Sequence, residues 1–345
     1  MSDILLDIQE LSVTYDTVRG PVQAVSELSL QLPRGASIGI VGESGCGKTT
    51  LAKALIRLLP ANGKISGGSI RFDGVNIARL SPAELRDMRW REIAMVPQSA
   101  MNSLNPVYQV GAQLVETMVV RQRMAKSAAW ERAGELFKMV GIDPRRLHDY
   151  PHQFSGGMKQ RATIALAMTL SPKLIIADEP TTALDVLVEA RILNLLRDLK
   201  QTHGLTLIYI THDLSVVART CDLMGVMYAG KLVEFGPTEQ VIRRPLHPYT
   251  MGLIAAVPKG SIRGWEPVTI PGSPPELIHK LEGCRFVQRC PFATARCAVD
   301  TPALAEGAPG HWAACHYLDQ AEQMREDARI PLTWARSRAG ALEAI

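Results

Sequence analysis

No stretch of the sequence approaches the roughly 18 consecutive apolar residues that a membrane-spanning helix needs, so the chain is not expected to cross a bilayer by itself. The first ten residues, MSDILLDIQE, are acidic and lack a basic region followed by an apolar core, which excludes a secretory signal there. Neither sign of charge dominates: 38 basic residues face 34 acidic ones, a net charge of +4, far below what a dedicated nucleic-acid binder concentrates on one face. No internal repeat is visible. Cysteine is almost missing from the long first part, where only Cys46 and Cys221 occur, and then Cys284, Cys290, Cys297 and Cys315 follow in close order. With no secretory signal, these read as reduced thiols or metal ligands rather than disulfides.

What is present is enough apolar material for a substantial core. Of 345 residues, 46% are hydrophobic and 21% charged, which argues against disorder and for two unequal domains. From Ile4 to about Ala256, β-type runs alternate with helical patterns. The runs ASIGIV (36–41), IAMVP (93–97), KLIIAD (173–178), LTLIYI (205–210) and LMGVMYA (223–229) are short and nearly continuously apolar, as strands buried on both faces should be. The expected fold class is α/β. Between Val110 and Leu170 strand signals vanish and helical segments such as SAAWERAGELFKMVGI take over, with Gly141 and Pro144 as a stop. Beyond Val257, the residues Pro258, Pro267, Pro271, Pro274 and Pro275 with several glycines predict an extended connector, and from about Gln320 an Ala- and Arg-rich end predicts a loose or helical tail.

The stretch GESGCGKT (42–49) follows the first of these strands and precedes the helical KTTLAKALIRLL. Three glycines let the backbone wrap so that several N–H groups face phosphate oxygens, and the helix N-terminus adds partial positive charge. Gly42, Ser44, Gly45, Gly47, Lys48, Thr49 and Thr50 are the expected phosphate-binding set, with Lys48 on the β- and γ-phosphates and Thr49 on Mg²⁺. A second element, LIIADEP (174–180), delivers Asp178 at the end of a buried strand, suited to the Mg²⁺ shell, and Glu179 beside it, suited to take a proton from an attacking water. A third, PHQFSGGMKQR (151–161), places Ser155, Gly156 and Gly157 in a second anion-binding turn ahead of a helix. One nucleotide does not need two such turns.

In this combination the chain resembles the ATPase subunits of ABC transporters, from about residue 4 to residue 320. Phe154 and Met158 stand where that family's signature usually has Leu and Gln, and the Ser-Gly-Gly core is intact. The resemblance implies a P-loop ATPase cassette with a RecA-like core, an antiparallel β subdomain and a helical subdomain, followed by a Cys-rich C-terminal extension. It implies that the Ser-Gly-Gly turn of one cassette closes over ATP held by its partner. It further implies that Tyr15 stacks on adenine and that Gln98 senses Mg²⁺ and the γ-phosphate. Asp185 would communicate across a dimer interface, and His212 would contact the γ-phosphate and hold Glu179. The catalytic set is then Lys48, Glu179 and His212, with Thr49, Gln98 and Asp178 around Mg²⁺. The implied organisation is an ATPase domain over 1–256 (helical subdomain about 110–170), a connector over 257–283, a cysteine domain over 284–320 and a tail over 321–345.

Three further features, QSAMNSLNP (98–106), RPLHPYT (244–250) and the C-x5-C-x6-C-x17-C spacing, resemble the ATPases of bacterial dipeptide and oligopeptide importers, a group that also serves nickel and some sugars. That resemblance implies a homologous F-type ATPase partner, two membrane permeases, a periplasmic or surface substrate-binding protein and a peripheral place on the cytoplasmic face of the cell (inner) membrane. Nucleic acid is not an expected partner: DNA-associated relatives carry coiled coils, paired cassettes or inserted zinc modules, none of which is present. Exporter ATPases usually lack the HPYT stretch and the cysteines. A non-catalytic cassette would have lost Lys48, Glu179 or His212. For the four late cysteines the spacing leaves iron–sulfur, zinc and free thiols open, although the C-x2-C knuckles usual for zinc are missing. The resemblance points to a [4Fe-4S] cluster, and a tail rich in Pro and Gly with little core of its own predicts a structural role for it.

Overall fold

The computed structural model describes residues 3–98, 103–182, 184–257, 268–278 and 281–340. The chain folds into two compact units: Met1–Leu5 with Leu32–Ser37 and Asp73–Ile210, and Leu6–Gln31 with Ile38–Phe72 and Thr211–Ile345. Elements are numbered along the chain.

The first unit is built on parallel strands β6 (Ile93–Val96), β7 (Leu174–Asp178) and β8 (Thr206–Ile210), in register Ile93↔Leu174↔Thr206. Every residue of β7 and β8 is buried, which is why their sequences lack the alternation of a half-exposed strand. The two-residue β5 (Val75–Asn76) and helices α2 (Pro82–Arg91), α3 (Val110–Gln122), α4 (Lys126–Met139), α5 (Gly156–Ala167) and α6 (Val186–His203) complete it. α2 begins with a reciprocal cap: Ser81 accepts from the Glu84 N–H while Glu84 accepts from the Ser81 N–H, with Pro82 at the first helical position. α4 stops as expected, since Gly141 adopts a left-handed conformation and Asp143 caps the next turn at Pro144–His148. Leu114 and Met118 on α3 and Ala129, Ala133 and Phe137 on α4 are fully buried.

The second unit holds an antiparallel sheet of β2 (Gly20–Pro33), β1 (Ile4–Thr17) and β4 (Gly63–Phe72), and a run of strands ordered β11 (Ala305–Ala308), β12 (His311–Ala313), β10 (Lys231–Pro237), β9 (Leu223–Tyr228), β3 (Ser37–Val41). β3 and β9 are parallel and the others antiparallel. β1 and β2 run for 14 residues each. β1 is hard to read as a single strand because the alternation breaks at a bulge: the register against β4 slips between Gln9 and Ser12, Glu10 turns to positive φ, and Gly68 opposite has no room for a Cβ, which would lie 2.4 Å from the Gln9 carbonyl oxygen. Helices α1 (Lys48–Leu55), α7 (Leu214–Thr220), α8 (Thr238–Arg243), α9 (Pro248–Ala256), α10 (Ala295–Val299), α11 (Ala321–Asp327) and α12 (Pro331–Gly340) belong to this unit.

The end of the chain, expected to be loose or helical, carries α11 and α12 and packs into the core. Phe286, Ala313, Met324 and Trp334 sit in one buried cluster with Tyr228 of β9 and Tyr249 of α9, and Trp334, only 1% exposed, donates its indole N–H to the Ala328 carbonyl oxygen. These apolar residues are too scattered to form a periodic signal, yet each reaches the same aromatic core. A buried carboxylate ties the parts together. Glu234 on β10, fully inaccessible, accepts from the N–H groups of Leu246 (2.7 Å) and His247 (2.9 Å), and His311 Nε2 lies 2.7 Å from the same side chain. His247 in turn caps α9, its Nδ1 accepting from the Tyr249 N–H.

Removing one partner from such a buried set leaves the others uncompensated. Glu234→Ala is expected to cost about 3–5 kcal/mol, read as a lowered urea midpoint, while Arg19→Ala, which removes an exposed pair with Glu276, should cost less than about 1 kcal/mol. Similar small losses for both would deny Glu234 its holding role.

Candidate nucleotide-binding site and cysteine pocket

In the second unit the phosphate loop leaves the buried end of β3 at Val41 and enters α1 at Lys48. Its glycines serve different ends. A Cβ on Gly42 would lie 2.1 Å from the Met227 carbonyl oxygen and one on Gly47 would lie 2.3 Å from that of Ala24, both at positive φ; Gly45 is also at positive φ but faces open space. Close backbone approach therefore requires two of them, and conformation alone the third. No side chain caps α1 at Gly47, where the backbone turns left-handed. Lys48 is buried, and its Nζ donates to the carbonyl oxygens of Gly42 (2.7 Å) and Glu43 (2.9 Å). Ser44 and Gly45 at the loop tip are exposed. The Tyr15 hydroxyl lies 3.2 Å from the Thr50 hydroxyl, which sets its ring beside α1. His212 is exposed just after Thr211, whose N–H donates to the Ile40 carbonyl oxygen at the end of β3.

The first unit carries the acidic pair. Asp178 ends β7 and is 2% exposed, whereas Glu179 takes the left-handed conformation, φ 47°, with its N–H donating to the Ile210 carbonyl oxygen. A non-glycine residue held there is strained and is common where chemistry fixes a side chain. The Glu179 carboxylate accepts from Gln98 Nε2 (2.6 Å) and from the Thr182 hydroxyl (2.9 Å), so two residues singled out separately in the sequence meet directly. Ser155 caps α5, accepting from the Met158 N–H, and Gly157 is pressed against Val188, whose side chain a Cβ would approach to 2.5 Å. Gly156 opens the helix. Asp185 caps α6 through the Val188 N–H. Of the QSAMNSLNP stretch, residues 99–102 lie outside the described residues, as do Pro258 and Pro267 of the connector.

Cys284, Cys290, Cys297 and Cys315 line a single small cavity of about 20 Å³ in the second unit, with Phe286, Val287 and Phe292 among its apolar neighbours. Cys46 and Cys221 are elsewhere. Burial pushes the Cys284 thiol up to about 11 and raises those of Cys290 and Cys315. Among the described residues, no group of three or more His, Cys, Asp or Glu side chains is gathered so as to hold a metal ion.

Some contacts had no signal in the sequence. Arg289 makes a two-pronged pair with Glu43 inside the phosphate loop, although 246 positions separate them. Tyr249, noted only as part of HPYT, accepts the Glu43 N–H on its hydroxyl.

A glycine-rich loop between a buried parallel strand and a helix, together with an acidic pair ending another buried strand, defines a P-loop nucleotide hydrolase. Family comparison matches residues 25–182 to the ABC transporter ATPase model and residues 233–297 to the C-terminal region of oligopeptide/dipeptide transporters. The chain is 46% identical over 316 residues to the oligopeptide transport ATP-binding protein OppD of Escherichia coli, covering 91% of this chain and 93% of that protein. It is 42% identical over 319 residues to the dipeptide transport ATP-binding protein DppD of Bacillus subtilis, covering 92% and 95%. Among solved structures, the ADP- and phosphate-bound dimer of the ATP-binding cassette MJ0796 is similar at TM-score 0.61 and 27% identity, covering 68% of this chain and 98% of that one. The chain belongs to the ATP-binding subunits of ABC transporters, in the oligopeptide and dipeptide transporter group. In the described residues no helix is long and apolar enough to cross a membrane.

The glycine geometry makes a graded prediction. Gly42→Ala should cost about 3 kcal/mol or more and abolish ATP binding, whereas Gly45→Ala, meeting only the conformational penalty of about 1–2 kcal/mol, should retain measurable binding by calorimetry. The reverse order would refute the assignment of Gly42 as the sterically required position.

Proposed function

We propose that this chain is the ATP-hydrolysing subunit of a membrane importer for di- or oligopeptides, working on the cytoplasmic face of the cell (inner) membrane. The observation that carries this reading is the joint presence of the complete nucleotide machinery and the oligopeptide/dipeptide-type region at 233–297, within a similarity spanning nine-tenths of the chain. Its partners are two membrane permeases, a substrate-binding protein and a homologous F-type cassette. Peptide itself meets those partners rather than this chain. The loop at 98–106 is the segment assigned to contact with a permease, since the cassette needs a route for force outside its nucleotide site.

In this reading ATP lies on the 42–49 loop, with Lys48 on the β- and γ-phosphates and the ring of Tyr15 against adenine. Thr49, Gln98 and Asp178 would hold Mg²⁺, which supplies charge neutralisation at the β- and γ-phosphates. Glu179 accepts the proton of the attacking water, and His212 supports it at the γ-phosphate. The hydrogen bond from Gln98 to Glu179 supports a coupled role, because any displacement of the Gln98 loop releases the carboxylate it restrains. Ser155, Gly156 and Gly157 cover the ATP of the partner cassette, and Asp185 lies at the contact between cassettes. Cys284, Cys290, Cys297 and Cys315 would hold a [4Fe-4S] cluster, which supplies a covalent brace for the loops that carry them. The one small cavity that all four cysteines line supports that choice over free thiols.

Glu179→Gln should preserve ATP binding and slow hydrolysis by roughly 10² to 10⁴ in the assembled transporter. Normal turnover would remove the role given to Glu179. Anaerobically purified chain should be brown and contain about four irons; colourless protein with stoichiometric zinc would overturn the cluster assignment. Reconstituted vesicles that take up nickel or a sugar, but no peptide, would overturn the substrate class.

A further inference from the structure

The loop between Cys284 and Cys290 also carries Arg289, whose guanidinium is directed to the phosphate loop. Its Nε donates to the Pro271 carbonyl oxygen at 2.8 Å. Its two terminal nitrogens donate to the two carboxylate oxygens of Glu43 at 2.9 and 3.0 Å, and one of them also to the Tyr228 hydroxyl at 3.2 Å. The arginine side chain is 6% exposed and the glutamate 27%, so the pair is shielded on the arginine side and reaches solvent only at the loop. Glu43 is held a second time through its N–H, which donates to the Tyr249 hydroxyl. Its carbonyl oxygen in turn receives Lys48 Nζ and the Cys46 N–H. The two side chains that fix Glu43, Arg289 and Tyr249, therefore bear on the residue against which Lys48 is set.

A loop with glycines at 42, 45 and 47, all at positive φ, has more conformational freedom than other sequences and little side-chain packing of its own at Ser44 and Gly45. Something outside it must select one shape. A planar two-pronged arginine–carboxylate pair does this better than apolar contact, because it fixes direction as well as distance. A buried ion pair is weak evidence for stability and better suited to specifying geometry.

We propose that Arg289 is a positioning residue for nucleotide binding: through Glu43 it holds the phosphate loop in the shape that Lys48 requires, and so makes ATP affinity depend on the cysteine-bearing loop. By linkage, ATP bound at the phosphate loop must stabilise the 284–297 segment to the same extent. This rests on the phosphate-binding role assigned to residues 42–49.

The test uses the full chain, purified anaerobically, and titration calorimetry with ATP and Mg²⁺. Wild type that binds no ATP would defeat the reading of the 42–49 loop itself; given wild-type binding, the variants decide the present proposal. Arg289→Met and Glu43→Gln should each raise Kd about tenfold, within the range usual for coupled sites. The double variant should bind no more weakly than either single one, because both act through one pair. Arg289→Lys, which keeps charge but not the fork, should fall between wild type and Arg289→Met. Hydrogen exchange on the wild type needs no variant: ATP should slow exchange in 284–297, a response that a merely structural role would not produce. Unchanged Kd in the variants, strictly additive losses, or exchange in 284–297 indifferent to ATP would each overturn the proposal.

Discussion

The carbonyl oxygen of Met227, near the end of β9, leaves no space for a side-chain carbon at Gly42, and the phosphate loop is folded on that contact. The parallel pairing of β3 with β9 sets the height of the loop, and the backbone of Ala24 closes it from another side at Gly47. Hydrogen-bond donors can face an anion only where the backbone bearing them has nowhere else to go. The rest of the second unit can be understood as support for that arrangement. β9 brings Tyr228, α9 brings Tyr249, and these two rings lie 4.6 Å apart by centroid and pack with Phe286 at 5.1 and 5.4 Å. The hydroxyls of both tyrosines then emerge beside Glu43 and Arg289.

The first unit solves a different problem, that of presenting a carboxylate where no regular element would leave one. β7 is buried along its whole length and ends in Asp178, after which the chain reverses through the left-handed Glu179. The side chain so aimed is restrained by an amide from Gln98 and a hydroxyl from Thr182, both neutral donors. Two hydrogen bonds to one carboxylate fix the direction in which it points and favour its charged form.

What could be read from the sequence was what is contiguous. ASIGIV, KLIIAD, LTLIYI and LMGVMYA are strands in the structure because uninterrupted burial imposes uninterrupted apolarity, and GESGCGKT carries its chemistry within eight positions. β1 was harder because a bulge near Glu10 shifts the inward face partway along. Nothing local announced that Arg289 would find Glu43, that Glu234 would gather Leu246, His247 and His311, or that Trp334 would be buried. Each of these depends on contacts across tens or hundreds of residues, and a charged or aromatic residue taken singly fits a solvated surface as well as it fits a core.

Trp334 has a consequence for how the molecule is made. Its ring closes the same cluster that contains Tyr228 and Tyr249, and Tyr249 bonds the phosphate loop directly while Tyr228 bonds Arg289 beside it. A chain emerging from its N-terminus therefore displays the nucleotide loop long before the wall behind it can be completed. Synthesis that stops before residue 334 leaves that cluster without its indole and opens the aromatic core to solvent.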